Sequence, residues 1–290
     1  MGTTRVWKGN DSSTPNDYSV VGNWDTPVGA NAVPEAGDTV VIPPGSGSIT
    51  AGLAQSGVEL ISFRVEPGYN GRIGIRGTSG AGPTYLQIDL LTDTGICELS
   101  TTNYCYLNIG SADTDVTVFS AAGGTIGDYG TCLLGTAIQT LSVHNGYVAL
   151  AAHTGNLADC DDIQLRGNSL LYRGAGAGSS AATIMGGTLL DAGGITQCDI
   201  YSGRYRSIES APLTTLNVYG GSCVLNSTDD VGTVNLKGTG ASVDLTQSGL
   251  ARTITNFNYD EGRLVKTPAT TITNFNISSL AFNMSCSTLR

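Results

Sequence analysis

The carboxylates are the residues whose types and spacing come closest to a chemical site. Asp159, Asp161 and Asp162 lie within four residues, Asp229 adjoins Asp230, Asp260 adjoins Glu261, and Glu209 stands between the first two groups. Two carboxylates held about 5 to 10 Å apart can cleave a glycosidic bond, one protonating the leaving oxygen while the other activates water or attacks the sugar. Arg204 and Arg206, with Arg166 and Arg173 earlier in the chain, could supply the basic side of a lyase whose acids hold calcium. Each group also has a plainer reading. Aspartates on solvated turns bond their own backbone, and arginines lie as surface stems beside acids. Asp113-Thr-Asp115 lacks the glycine and distal glutamate of an EF-hand loop. Gly123-Gly-Thr-Ile-Gly-Asp128 misplaces the Gly and Asp of a calcium-binding nonapeptide and has no second copy. Both read as turns.

The remaining chemistry is thin. His144 and His153 are the two histidines, and no Gly-x-Ser-x-Gly elbow offers either of them a serine to activate. Neither a phosphate-cradling Gly-x-x-x-x-Gly-Lys loop nor a dinucleotide Gly-x-Gly-x-x-Gly occurs. The seven cysteines, Cys97, Cys105, Cys132, Cys160, Cys198, Cys223 and Cys286, form no Cys-x-x-Cys pair and read as small buried hydrophobes. Twelve tyrosines are left, of which Tyr172, Tyr201, Tyr205 and Tyr219 fall in successive segments. An outward stripe of them would grip a sugar or line a seam between subunits, whereas tyrosine is also an ordinary strand residue. No catalytic, cofactor-binding or metal-binding residue is assigned on this basis, and no cofactor is expected.

Whatever positions these residues is set by a repeat. Thr253-Ile-Thr-Asn-Phe-Asn258 recurs as Thr271-Ile-Thr-Asn-Phe-Asn276, and Thr215-Leu-Asn-Val218 recurs as Thr233-Val-Asn-Leu236, both at the same offset. Between copies runs one phrase: an apolar-x-apolar pair, a glycine turn, then a second such pair. Leu141 and Val143 precede Gly146, Val148 and Leu150; Leu216 and Val218 precede Gly221, Cys223 and Leu225. A period of about 20 residues is one coil of a β-solenoid. Alternation puts two apolar side chains per strand inside, stacking coils ~4.8 Å apart buries them, and recurring Asn can form side-chain ladders. Composition agrees: 40 glycines and 13% charged residues suit strands and turns better than amphipathic helices. The spacing predicts an all-β, right-handed, single-stranded parallel β-helix, with ten to twelve rungs making a rod on the order of 50 Å long. Within it, Cys105–Ile109 and Val116–Phe119 read as rungs, Ile61, Phe63 and Val65 as one alternating strand, and Gly174–Gly178 as a wide turn or protruding loop.

Charge excludes several partners. Twenty-four acids against fourteen scattered bases leave a net charge of −10, which suits neither nucleic acid nor an anionic membrane. The opening MGTTRVWKGN has no apolar core of a secretory signal, and no apolar run approaches the ~18 residues of a membrane span. Synthesis in a cytosol is the reading that follows.

The opening adds Trp7-Lys-Gly9, Asn23-Trp24, Pro34-Glu-Ala-Gly37-Asp38 and Val40-Val-Ile-Pro43, in that order. This segment resembles the one that covers the first rung of many β-helical surface and virion proteins, where it hides apolar surface and strand edges. The whole chain resembles the phage virion β-helix proteins, a group of tailspikes and capsid-decorating proteins. The resemblance implies a homotrimer located in the virion and made in the host cytoplasm, with other virion proteins such as the major capsid protein as partners. A chain this short favours a decorating or connecting part over a complete spike. The alternative is a tailspike-type receptor binder or glycan depolymerase with host glycan as ligand. The expected division is a cap over residues 1–50, the β-helix over 51–276, and a C-terminal cap or assembly tail over 277–290.

Overall fold

The computed structural model describes residues 2–77, 82–110, 113–123, 130–153, 155–208, 210–247 and 251–278, apart from the side chains of 136 and 137. Glu209, most of the segment ending at Asp128, Cys286 and residues 279–290 lie outside the described residues. The chain is all-β and winds into a parallel β-solenoid of about 11 turns.

The register gives the architecture directly. One inward column runs Val40, Phe63, Cys97, Val116, Leu141, Ile163, Ala182, Cys198, Leu216, Val234, Phe257 and Phe275, each paired in parallel with the next. A second inward column runs Cys105, Thr131, Val148, Leu171, Leu189, Tyr205, Cys223, Val243 and Leu264. A core line continues between them because no single coil can bury its own apolar residues, while every added coil covers the one before it. The six described cysteines are all buried, as the small apolar reading requires. The offset between paired positions varies from coil to coil: 16 residues between Ala182 and Cys198 (198 − 182), 18 between Asn217 and Asp199, and 23 between Val234 and Phe257 (257 − 234). The variation is widest in the N-terminal half, where Phe63 and Cys97 are paired neighbours 34 residues apart (97 − 63) while Cys97 and Val116 are 19 apart (116 − 97). That unevenness is why the repeat is blurred there in the sequence.

Identical residues sit on one another where the sequence repeats. Thr271 pairs with Thr253, Asn274 with Asn256, Phe275 with Phe257 and Asn276 with Asn258. Turn glycines stack as well. Gly203 and Gly221 have φ of 85° and 70°, and a Cβ on them would lie 2.5 Å from the Gly187 carbonyl and 2.4 Å from the Gly203 carbonyl. Only a residue without Cβ lets successive turns touch backbone to backbone at positive φ.

The N-terminal end is sealed by aromatic rings. Thr4–Trp7 pairs in parallel with Thr39–Ile42 and antiparallel with Trp24–Asp25. Trp7, Tyr18 and Trp24 are buried, with Trp24 edge-on to Trp7 at 5.0 Å and to Tyr18 at 4.7 Å. The indole nitrogens donate to the carbonyls of Gly47 and Tyr18, both at 2.7 Å. Beside them Arg5 Nε donates to Asp38 at 2.7 Å, and the backbone of Thr3 and Glu35 donates to the same carboxylate.

Two local expectations need correction. Ile61 is exposed, because the chain bends there and the inward alternation of the strand Ser62–Tyr69 begins at Phe63. Gly174–Gly178 does not protrude: Cβ atoms on Gly174 and Gly176 would each lie 2.0 Å from a backbone oxygen of the preceding coil, so the segment is a tight turn pressed against it.

Candidate functional site

The solenoid distributes the candidate acids along its outer surface. Asp159, Asp161 and Asp162 lie on the strand Ala158–Leu165, not on a turn, since Cys160 and Ile163 point inward around them. Asp162 accepts from Gln164 Nε2 at 3.0 Å, and Arg166 donates to Gln164 at 3.2 Å, so this acid is engaged along its own strand. Asp229 and Asp230 precede the strand Val231–Asp244; Asp230 accepts from the Thr253 amide at 2.6 Å and Asp229 from the Ser210 hydroxyl at 3.2 Å. Asp260 accepts from the Ser278 hydroxyl, and Glu261 is exposed in register with Lys237. The register carries Asp162 through Ala181, Gln197 and Thr215 to Thr233, so four rungs, or ~19 Å, separate its coil from that of Asp230. Among the described residues no group of three or more His, Cys, Asp or Glu is arranged to hold a metal ion.

The arginines divide. Arg166 and Arg204 are exposed, but Arg173 is no surface stem: it is fully buried inside the coil. Its Nη1 donates to Asp191 at 2.6 Å and its Nη2 to the carbonyls of Ala177 and Gly194 at 2.8 and 3.0 Å. Asp191 also accepts from the Tyr205 hydroxyl at 2.9 Å and from the amides of Gly193 and Gly194. Tyr205 therefore leaves the proposed outward stripe, and burial pushes its hydroxyl pKa well up. The signal for this pair was in the sequence. Arg173 and Asp191 are 18 residues apart, the coil offset, which stacks them on adjacent rungs. Cys160 is likewise inert, its thiol pushed up to about 12 by burial.

His144 and His153 fall between strands. His144 packs on Phe119 with ring centroids 5.4 Å apart, and burial lowers the pKa of His153 below the ordinary histidine value. Tyr172 joins a separate cluster on the outside of the coil with Tyr106, Tyr147, Cys132 and Ala149. A hollow of about 550 Å³ near that cluster is lined by Thr50, Arg72, Gly74, Ile75, Arg76 and Tyr104, with Arg76 bonded to the Tyr104 hydroxyl at 2.6 Å.

What the fold does assemble is an outward column at one corner. The residue after the last inward position of successive strands is Phe119, His144, Arg166, Met185, Tyr201, Tyr219 and Lys237. Phe119, Met185, Tyr201 (52%) and Tyr219 (38%) are exposed apolar side chains on that line. The two tyrosine rings stack at 4.8 Å and 8°, and Lys237 Nζ lies 5.4 Å over the Tyr219 ring. They thus spend faces on each other and on the ammonium, leaving mainly ring edges and the outer face of Tyr201 for anything else.

On the adjoining outer face runs a polar ladder. Asn217 donates to Asp199 at 2.6 Å, Asn235 to Asn217 at 2.7 Å, Asn258 to Asn235 at 2.7 Å and Asn276 to Asn258 at 2.8 Å. Beside it Asn274 donates to Asn256 at 2.9 Å. The recurring Asn positions of the sequence do form ladders.

No helix among the described residues is long and apolar enough to cross a membrane. No family model, curated protein or solved structure matches the chain.

Proposed function

We propose that this chain is a non-enzymatic structural protein of a phage virion, assembled as a side-by-side homotrimer that decorates the capsid or joins virion parts. The observation that carries the reading is the corner column. Phe119, Met185, Tyr201 and Tyr219 expose apolar surface at the same corner of different coils, with His144, Arg166 and Lys237 at the same corner, and exposed apolar surface that recurs along one side of a protein is characteristic of a contact site. A neighbouring rod laid alongside covers all of it at once. The net charge of −10 suits an outer surface away from packaged DNA.

The test is the mass of the protein in solution by light scattering, together with co-sedimentation with capsids that lack it. A trimer that sediments with particles is expected, and Tyr201→Ser with Tyr219→Ser is expected to shift it toward monomer without lowering its strand content. A monomer at micromolar concentration, or a trimer that ignores particles yet thins host polysaccharide, overturns the reading.

A further inference from the structure

The last described strand, Thr270–Ile277, pairs with Arg252–Val265 on one edge and with no other described strand. Its inward residues are accordingly uncovered: Phe275 is 45% exposed and Ile277 48%, whereas Phe257 one rung earlier is fully buried. This edge also has a chemical direction. Asp199 accepts from both Asn217 and Gln197, and an ionised carboxylate can only accept. Asn217 must therefore turn its NH2 toward Asp199, which presents its carbonyl oxygen to Asn235, and so on rung by rung. The last amide of the described ladder, Asn276, has its NH2 committed to Asn258 and its oxygen turned away from it. Asn274, its NH2 committed to Asn256, is oriented the same way.

We propose that this edge receives an extended strand from a partner chain, running parallel to Thr270–Ile277. That strand carries side-chain hydrogen-bond donors at two positions one residue apart, over Asn274 and Asn276, and an apolar side chain between them over Phe275. The existing pair of strands shows each element of this recognition: amide-to-amide bonds of 2.8 and 2.9 Å and rings stacked at 5.4 Å between Phe257 and Phe275. Addition of a strand to an exposed edge draws affinity from the main chain and selectivity from alternate side chains. The direction of the ladder rejects one occupant. Two copies meeting through this same end across a two-fold axis would set carbonyl oxygens against carbonyl oxygens. The proposal depends on neither the trimer nor the virion reading, since it is argued from the described strands of a single chain.

The probe is a fluorescein-labelled peptide with the sequence of Thr270–Ile277, titrated with the full chain and read by anisotropy. Saturable binding is expected, at least tenfold weaker when both peptide asparagines are replaced by valine and when the protein carries Asn276→Leu. Hydrogen exchange provides a second measurement, with slower exchange of the amides of Thr270–Ile277 when peptide is present. A circular dichroism melt of Asn276→Leu checks that the coil is intact, and Phe275→Ala serves in its place if it is not. No binding, binding indifferent to the asparagines, or a tail-to-tail dimer that Asn276→Leu dissociates would each overturn the proposal.

Discussion

The most demanding residues in this molecule are the charged ones that face inward. Arg173 and Asp191 have no exposed surface, and together with Tyr205 and four backbone groups they use most of their bonding capacity on one another. Removing one partner strands the other charge in the core, which costs about 3–5 kcal/mol. Arg173→Met should therefore lower the denaturant midpoint severely, whereas Arg173→Met with Asp191→Leu should recover most of the loss; equal losses from the single and double variants would show that the pair is not coupled. At the N-terminal end, burial acts to raise the Asp38 pKa, but the Arg5 side chain and the amides of Thr3 and Glu35 outweigh it and hold the carboxyl below its ordinary value. A carboxyl depressed in the folded state contributes stability that is fully present above the ordinary carboxylate pKa and is lost as pH falls through the depressed value. Urea midpoints measured from pH 6 down to pH 2 should fall less steeply for Asp38→Asn than for the unaltered chain.

At the scale of the element, a coil is two or more short strands joined by turns that must stack as closely as the strands do. Gly203 shows how little freedom the turns have, combining a φ of 85° with a carbonyl 2.5 Å from where a Cβ would sit. Left-handed backbone alone costs a residue with a Cβ about 1–2 kcal/mol, and the clash adds to it. Gly203→Ala is expected to lower stability by at least that amount, while Ala at Gly240, whose Cβ would meet nothing within 4 Å, should be close to neutral. Similar melting temperatures for the two variants would mean that turn stacking does not constrain the coil. The aromatic seal is the other element under strong constraint. Loss of a buried tryptophan such as Trp7 costs about 3–5 kcal/mol and opens the first rung.

At the scale of the whole molecule, the solenoid is a one-dimensional stack in which each coil meets only its neighbours. Length should then be negotiable at the turns and in whole coils, but within a strand in nothing smaller than a coil. Deleting residues 217–234 joins Leu216 to Asn235 and keeps Leu236 inward, with Asn235 brought under Asp199. Deleting one residue fewer, 217–233, follows Leu216 with Val234 and turns Val234 and Leu236 outward, because the side-chain period in a strand is two. The first deletion should give a shorter, cooperatively melting β-rod by circular dichroism, and the second an aggregate. Two equally folded products would contradict the register described here.

Much of this was written in the sequence because a solenoid is local in its logic. The literal copies at Thr253 and Thr271 specify which residue lies on which, the glycines mark where coils turn, and the alternation assigns inside from outside; the parallel β-solenoid and the asparagine ladders follow from these. The N-terminal coils were less legible because their loops vary in length, so the period disappears although the inward column through Phe63 and Cys97 does not. Corner positions were illegible for a different reason. Alternation stops wherever the chain bends, so only the folded backbone decides that Ile61 faces solvent. Which of the four tyrosines stack outward, Tyr201 on Tyr219 with Tyr205 in the core, and the edge of the last described strand at Asn274 and Asn276 belong to the tertiary structure alone. Both depend on what lies on the next rung, and a neighbour one coil away acts through space across ~4.8 Å, not through the residues that adjoin it in the chain.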